Sequence, residues 1–196
     1  MLLDQIKQTS IILGSQSPRR RELLASMDID FEVEIRPADE YIDSRLTPEE
    51  VVVGIATAKL EAFESRAYGD KLIITADTIV VSPLGTVLGK PQDSKEAFEM
   101  IRSLSGQEHQ VMTGVALQYR KKTISFVETT RVWFQQLTDD EIHYYIRKYC
   151  PFDKAGSYGI QEWIGRVAID KIEGSYENVM GLPTQRLYRE LIKFIK

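Results

Sequence analysis

A mixed α/β or α+β domain, with a central twisted sheet flanked by helices, is the fold class this 196-residue chain predicts, and three observations predict it. Thr47-Pro48-Glu49-Glu50 and Thr138-Asp139-Asp140-Glu141 are capping boxes, each ahead of apolar residues at helical spacing. The run from Leu72 to Val81 is rich in β-branched residues and reads as a central strand. Two long strand-like runs then follow one another, so isolated strands, a hairpin and helices share one chain.

A hydrophobic content of 43% supplies one substantial core, so residues 1–196 are expected to form a single domain. The net charge of −4 argues against a general coat for polymeric nucleic acid and against a polybasic membrane patch. Any positive site must therefore be local. Cys150 is the only cysteine, which excludes an internal disulfide framework and a multi-cysteine metal cluster, and its place between Tyr149 and Pro151 reads as structural. Acid and amide groups interrupt the apolar residues of Met1 to Lys7, and no apolar run is long enough to span a bilayer. A cytoplasmic protein is the expectation, and a homodimer is the base-rate expectation for its assembly.

In chain order, Ile11-Ile12-Leu13-Gly14 is a short strand, and Ser17 caps a helix with Pro18 at its first position and Leu23, Leu24 and Met27 on its apolar face. The first capping box opens a helix over 48–68. After the 72–81 strand, Ser82-Pro83-Leu84-Gly85 is a turn, and Ser94 opens a helix that Gly106 stops. Strands over 109–119 and 123–135 meet at a hairpin tip near Lys121-Lys122. The second capping box opens a helix carrying Ile142, Tyr145, Ile146 and Tyr149. Residues 151–165 read as loop, 167–172 as a short strand, and Pro183 starts a C-terminal helix with Leu187, Leu191 and Ile195 on one face.

Several residues stand out against this frame. In Ser15-Gln16-Ser17-Pro18-Arg19-Arg20, a tight loop between strand and helix aims backbone N–H groups outward beside two guanidinium groups. Phosphate is the natural guest, while a plain helix cap with a solvated arginine face is the other reading. Asp77 is a carboxylate inside an apolar strand, costly unless a metal, a cation or hydrogen bonds compensate it. It is either functional or a group satisfying buried donors. Lys59 falls on the apolar stripe of its helix and needs an anion or a snorkelling path.

Gly89-Lys90-Pro91 is not a phosphate loop of the triphosphatase type, because the glycine spacing is short and Pro91 replaces the magnesium-binding hydroxyl. Lys90 is still either a fixed charge for phosphate or an ordinary turn lysine. Glu40, in a polar loop, is a second candidate metal acid or an unremarkable surface group. His109 and His143 are too far apart for a local zinc motif and read as structural or exposed. The segment Gly156 to Gln161 offers backbone freedom and an amide able to read a base edge. Asp153-Lys154 either serves the same pocket or pairs on the surface.

Together these segments resemble the Maf family of nucleotide pyrophosphatases: Ser15 to Arg20, Thr75 to Thr78, Gly89 to Pro91 and Gly174 to Tyr176 match four of its motifs in order. The resemblance runs nearly end to end. It implies an elongated fold related to inosine triphosphate pyrophosphatases, with a nucleotide-binding cleft, and hydrolysis of a nucleoside triphosphate between its α and β phosphates. It further implies Asp77 as proton acceptor for the attacking water, a divalent Mg or Mn cofactor held through Glu40 and Asp77, and Ser15, Arg20, Lys59 and Lys90 around the phosphates. Asp153 to Gln161 is similar to the branch acting on dTTP and UTP, in which Arg19, Thr78 and Gln161 match positions for substrate choice. Glu162-Trp163-Ile164 departs from the glycine or small residues many members place there, with Trp163 narrowing a base pocket or packing on the surface. Two other functions stay open at this point: a nucleotide-sensing regulator of cell division, and a pyrophosphatase for the purines ITP and XTP.

Overall fold

The structure, a computed structural model, describes residues 6–38, 45–63, 68–120 and 122–195. Seven strands form one mixed sheet: β1 (Ile11–Leu13), β2 (Glu32–Val33), β3 (Leu72–Val81), β4 (Val87–Leu88), β5 (Glu108–Tyr119), β6 (Lys122–Phe134) and β7 (Ile169–Glu173). Their order is β2-β1-β3-β5-β6-β7, with β4 on β3. β1 runs parallel to both β2 and β3, whereas β4 is antiparallel to β3 and β7 to β6. The mixed α/β class is the one the sequence predicts.

The helices are α1 (Pro18–Ala25), α2 (Pro48–Glu61), α3 (Ser94–Leu104), α4 (Asp139–Tyr149), α5 (Trp163–Val167), α6 (Tyr176–Met180) and α7 (Thr184–Phe194), with a 3-10 turn at Ala155–Ser157. Both capping boxes are made: Thr47 and Thr138 each accept from the backbone N–H three residues on, and Glu50 and Glu141 return the bond. Each such cap contributes about 1 kcal/mol. The helix expected over 48–68 ends at Glu61, where the N–H of the capping residue Ala62 reaches both Ala58 and Leu60 carbonyls and tightens the last turn. Two short helices were not foreseen. α5 takes up the end of the expected 151–165 loop together with Val167, so β7 starts at Ile169. α6 grows out of the Gly174-Ser175-Tyr176 motif.

The chain divides into two compact units. The first comprises Met1–Asp77, Thr113–Glu128 and Gly181–Lys196. Ile12, Ala56, Leu60, Phe63, Ile73 and Ala116 close its core, and the buried Thr75 hydroxyl donates to the Ala56 carbonyl at 2.7 Å, tying β3 to α2. Gly114 allows an equally close approach, since a Cβ there would lie 2.4 Å from the Val52 carbonyl oxygen of α2.

The second unit comprises Thr78–Met112 and Thr129–Met180. Its core joins Val80, Ala97, Ile101 and Leu104 to Val132, Phe134, Ile142, Tyr145, Tyr158 and Ile160. α4 ends at Cys150, whose backbone is left-handed at φ 45° and whose thiol is exposed, so the cysteine is a helix terminator and not a core residue. No helix among the described residues is long and apolar enough to cross a membrane.

Candidate functional site

The start of α1 is built around Arg20. Ser17 caps the helix by accepting from the Arg20 N–H at 3.4 Å, and Pro18 fills the first position, where a missing N–H costs nothing. The Arg20 side chain does not lie on a solvated face but is buried, 9% exposed. Its Nε donates to the Gly181 carbonyl at 2.8 Å, and Nη1 donates to the Ala76 carbonyl at 2.8 Å and to Ser15 Oγ at 3.3 Å. The guanidinium thus fastens Ser15 to the strand position just before Asp77. Ser15 Oγ also accepts from the Ser17 N–H at 3.3 Å, so the loop is folded back on itself.

Asp77 has the cation that its sequence position demands. Lys59 Nζ donates to Asp77 Oδ1 at 2.7 Å, with the two side chains 16% and 13% exposed. The lysine on the apolar stripe of α2 and the carboxylate in the apolar strand β3 are each other's partner. Ser15, Arg20, Lys59 and Asp77 therefore gather in the first unit, along with half-buried Arg19, next to Arg20 on α1.

The second unit carries Thr78, Lys90 and Gln161. Thr78 is half-buried on β3 and Lys90 is exposed. The turn bearing Lys90 is tied to the glycine-rich segment, because the Gly156 N–H donates to the Gly89 carbonyl at 3.0 Å. Gly156 needs its φ of 65°, and a Cβ on it would meet Val80 Cγ2 at 2.8 Å.

Gln161 sits in a turn closed by the Glu162 N–H on the Gly159 carbonyl at 3.0 Å. Its Oε1 is buried and accepts no hydrogen bond among the described residues. Beside it, Tyr149, Gln161, Glu162, Trp163 and Arg166 line an open depression of about 340 Å³. Trp163 is half-buried there, its ring held edge-on by Tyr144 at 5.0 Å between centroids.

Three residues hold this turn, and one of them, Tyr145, escapes sequence reasoning. Lys154, only 7% exposed, pairs with Asp153 at 2.8 Å and with Glu162 Oε1 at 3.1 Å. The Asp153–Lys154 contact is therefore not merely a surface pair. Glu162 Oε2 accepts from the Tyr145 hydroxyl, and the Tyr145 oxygen accepts from the Gly159 N–H at 3.0 Å. Burial, with the Glu162 carboxylate beside it, pushes the Tyr145 hydroxyl far above its ordinary range, so it stays protonated and donates. The only hint in the sequence is a tyrosine, and not an aliphatic residue, on the apolar face of α4.

Other expected residues take structural places. Gly174-Ser175-Tyr176 anchors α6 on β6: the Ser175 N–H donates to Thr130 Oγ1 at 3.1 Å, and Asn178 Nδ2 donates to Thr130 Oγ1 at 2.9 Å and to the Val111 carbonyl at 3.0 Å. His109 is buried with Nε2 2.8 Å from the Tyr158 hydroxyl, and His143 is exposed and stacked on Phe98 at 4.7 Å.

Glu40 lies outside the described residues. Among the described residues no three histidine, cysteine or acidic side chains gather as a metal cage. Asp77 alone still fits a hard cation, because magnesium is commonly held by one or two carboxylates with substrate phosphates completing its shell.

A family model described as "Maf-like protein" matches residues 10–194 of the chain. The chain is 51% identical to the dTTP/UTP pyrophosphatase of Porphyromonas gingivalis, across 98% of each chain. It is 50% identical to the protein of that name from Phocaeicola vulgatus and 47% identical to that from Parabacteroides distasonis, in both cases across 98% of this chain and 100% of the relative.

Proposed function

Because the chain belongs to the Maf-like protein family, we propose that it is a nucleoside triphosphate pyrophosphatase that hydrolyses dTTP and UTP to the monophosphate and diphosphate. The observation that carries this reading is the Lys59–Asp77 pair, with Arg20 bound to the carbonyl just before Asp77. A carboxylate held by a lysine, on a strand whose preceding carbonyl is fixed by a buried guanidinium, is poised for proton transfer beside an anionic substrate. Names of relatives over nearly the full chain supply the substrate class.

In this reading water adds at phosphorus as the α–β anhydride bond breaks, and Asp77 takes the proton the water gives up. Lys59 keeps the carboxylate oriented and adds positive charge for the phosphates. Ser15 and Arg20, at the helix N-terminus, and Lys90 complete the phosphate contacts. Arg19, Thr78 and Gln161 choose the base. A divalent Mg or Mn ion held through Asp77, and through Glu40, supplies charge neutralisation to the phosphates when bound. Removal of surplus or non-standard pyrimidine triphosphates from a cytoplasmic nucleotide pool is the role this activity serves.

The test is release of pyrophosphate from a panel of dTTP, UTP, modified pyrimidine triphosphates, ITP and XTP, with Mg or Mn. Turnover of dTTP and UTP above the purines is expected. No release from any pyrimidine nucleotide sinks the proposal, and preference for ITP and XTP replaces it with the purine reading.

A further inference from the structure

The turn 159–162, which presents Gln161, is gripped at both ends by one hydroxyl. Tyr145 Oη accepts from the Gly159 N–H at 3.0 Å and donates to the Glu162 carboxylate. Those two residues also close the turn directly, through the Glu162 N–H on the Gly159 carbonyl. The other carboxylate oxygen of Glu162 meets Lys154 Nζ at 3.1 Å, and Lys154 is itself held by Asp153. Tyr145 is fully buried on α4, stacked on Tyr149 at 5.1 Å between ring centroids, so its hydroxyl is placed by a rigid element.

The packing leaves little slack. A Cβ on Gly159 would lie 2.9 Å from Glu162 Cδ and 3.0 Å from Lys154 Cε, so the backbone of the turn rests directly on the ion pair. A Cβ on Gly165 would fall 1.8 Å from the Ile160 carbonyl oxygen, which clamps the same turn from the α5 side. Within this clamp Gln161 Oε1 is buried and accepts no hydrogen bond among the described residues. A buried acceptor without a donor is costly, and a ligand N–H removes that cost. The N–H of a uracil or thymine ring is such a donor.

We propose that Tyr145 and Glu162 are positioning residues for substrate choice: by fixing both ends of the 159–162 turn they hold the Gln161 amide where the pyrimidine base meets it. Neither touches the reacting atoms. The inference rests on the pyrimidine pyrophosphatase reading, and its test separates the two.

Tyr145→Phe and Glu162→Gln are compared with the wild-type enzyme in steady-state hydrolysis of dTTP and of the purine ITP, and in amide hydrogen exchange. Tyr145→Phe keeps the buried ring and removes the hydroxyl. Glu162→Gln keeps the size of the side chain but offers one acceptor oxygen in place of two, so it serves the Tyr145 hydroxyl or Lys154 and not both, and acts as the partial loss. The expected result for Tyr145→Phe is faster exchange at the Gly159 amide, a KM for dTTP raised roughly tenfold, kcat changed by less than about threefold, and the dTTP over ITP preference reduced; Glu162→Gln lies between it and the wild type. Faster exchange with unchanged KM and preference overturns the positioning role and leaves the clamp structural. Unchanged exchange at Gly159 overturns the clamp itself. A wild-type enzyme that does not turn over dTTP removes the reading on which the proposal rests, a result distinct from either of these.

Discussion

Lys59 Nζ lies 2.7 Å from Asp77 Oδ1, across the contact of α2 with β3, and both side chains are withdrawn from solvent. Breaking such a pair from one side strands a charge, whereas removing both partners does not. Lys59→Met is expected to lower stability by roughly 3 kcal/mol in urea denaturation, and the double variant Lys59→Met, Asp77→Asn to recover most of it. Equal losses in the two proteins argue that the pair is not coupled.

Asp77→Asn keeps the shape of the side chain and removes its basicity. Turnover of dTTP is expected to fall on the order of 10²–10⁴-fold while nucleotide still binds in isothermal titration. If a cell-division phenotype survived this change, binding and not hydrolysis would be the output.

Arg20 ties Ser15, Ala76 and Gly181 together through two nitrogens. A lysine cannot reach two carbonyls in the same fork geometry. Arg20→Lys is therefore expected to cost about 2 kcal/mol, read as a shift in urea midpoint, because a buried carbonyl loses its donor. It should also weaken turnover by displacing the strand position before Asp77.

Burial pushes the His109 imidazole down from 6.5 to about 4, as the ring is enclosed by Phe134 and Tyr158. Between these values the unfolded chain binds a proton that the folded protein refuses. Stability from this ring is complete above pH 6.5 and is lost as pH falls toward 4, by about 3 kcal/mol over the window. Denaturation midpoints measured from pH 7.5 to 4.5 should show this slope in the wild type, and His109→Gln should flatten it.

Gly114 brings β5 against the backbone of α2, with 2.4 Å between the site of a Cβ and the Val52 carbonyl oxygen. Backbone on both sides cannot yield cheaply. Gly114→Ala is expected to destabilise by about 2–3 kcal/mol, an overpacking effect visible in the thermal midpoint.

Much of this arrangement is legible in the sequence because it rests on local rules. The caps at Ser17, Thr47 and Thr138 announce α1, α2 and α4, since a hydroxyl that satisfies an orphan N–H acts within three residues. Asp77 and Lys59 announce themselves as misfits in apolar surroundings. Their pairing, though, depends on β3 packing against α2, and spacing along the chain does not encode it. Arg20 stays divided between a phosphate contact and a solvated charge for the same reason: the carbonyls it serves belong to residues 76 and 181. Tyr145 is hidden most completely, because its ring obeys the helical pattern of a core residue and only its hydroxyl does anything else. Glu40, the second acid proposed for a metal, lies outside the described residues.

The left-handed turn at Cys150 leaves the chain's single thiol in solvent, one residue beyond Tyr149, which lines the depression beside Gln161. The protein thus carries its own attachment point for a thiol-reactive fluorophore, with no competing cysteine to remove. On the proposed reading, in which Gln161 meets the base, a dye fixed there is expected to change its emission as nucleotide arrives and leaves, turning a helix terminator into an optical probe of a colourless reaction.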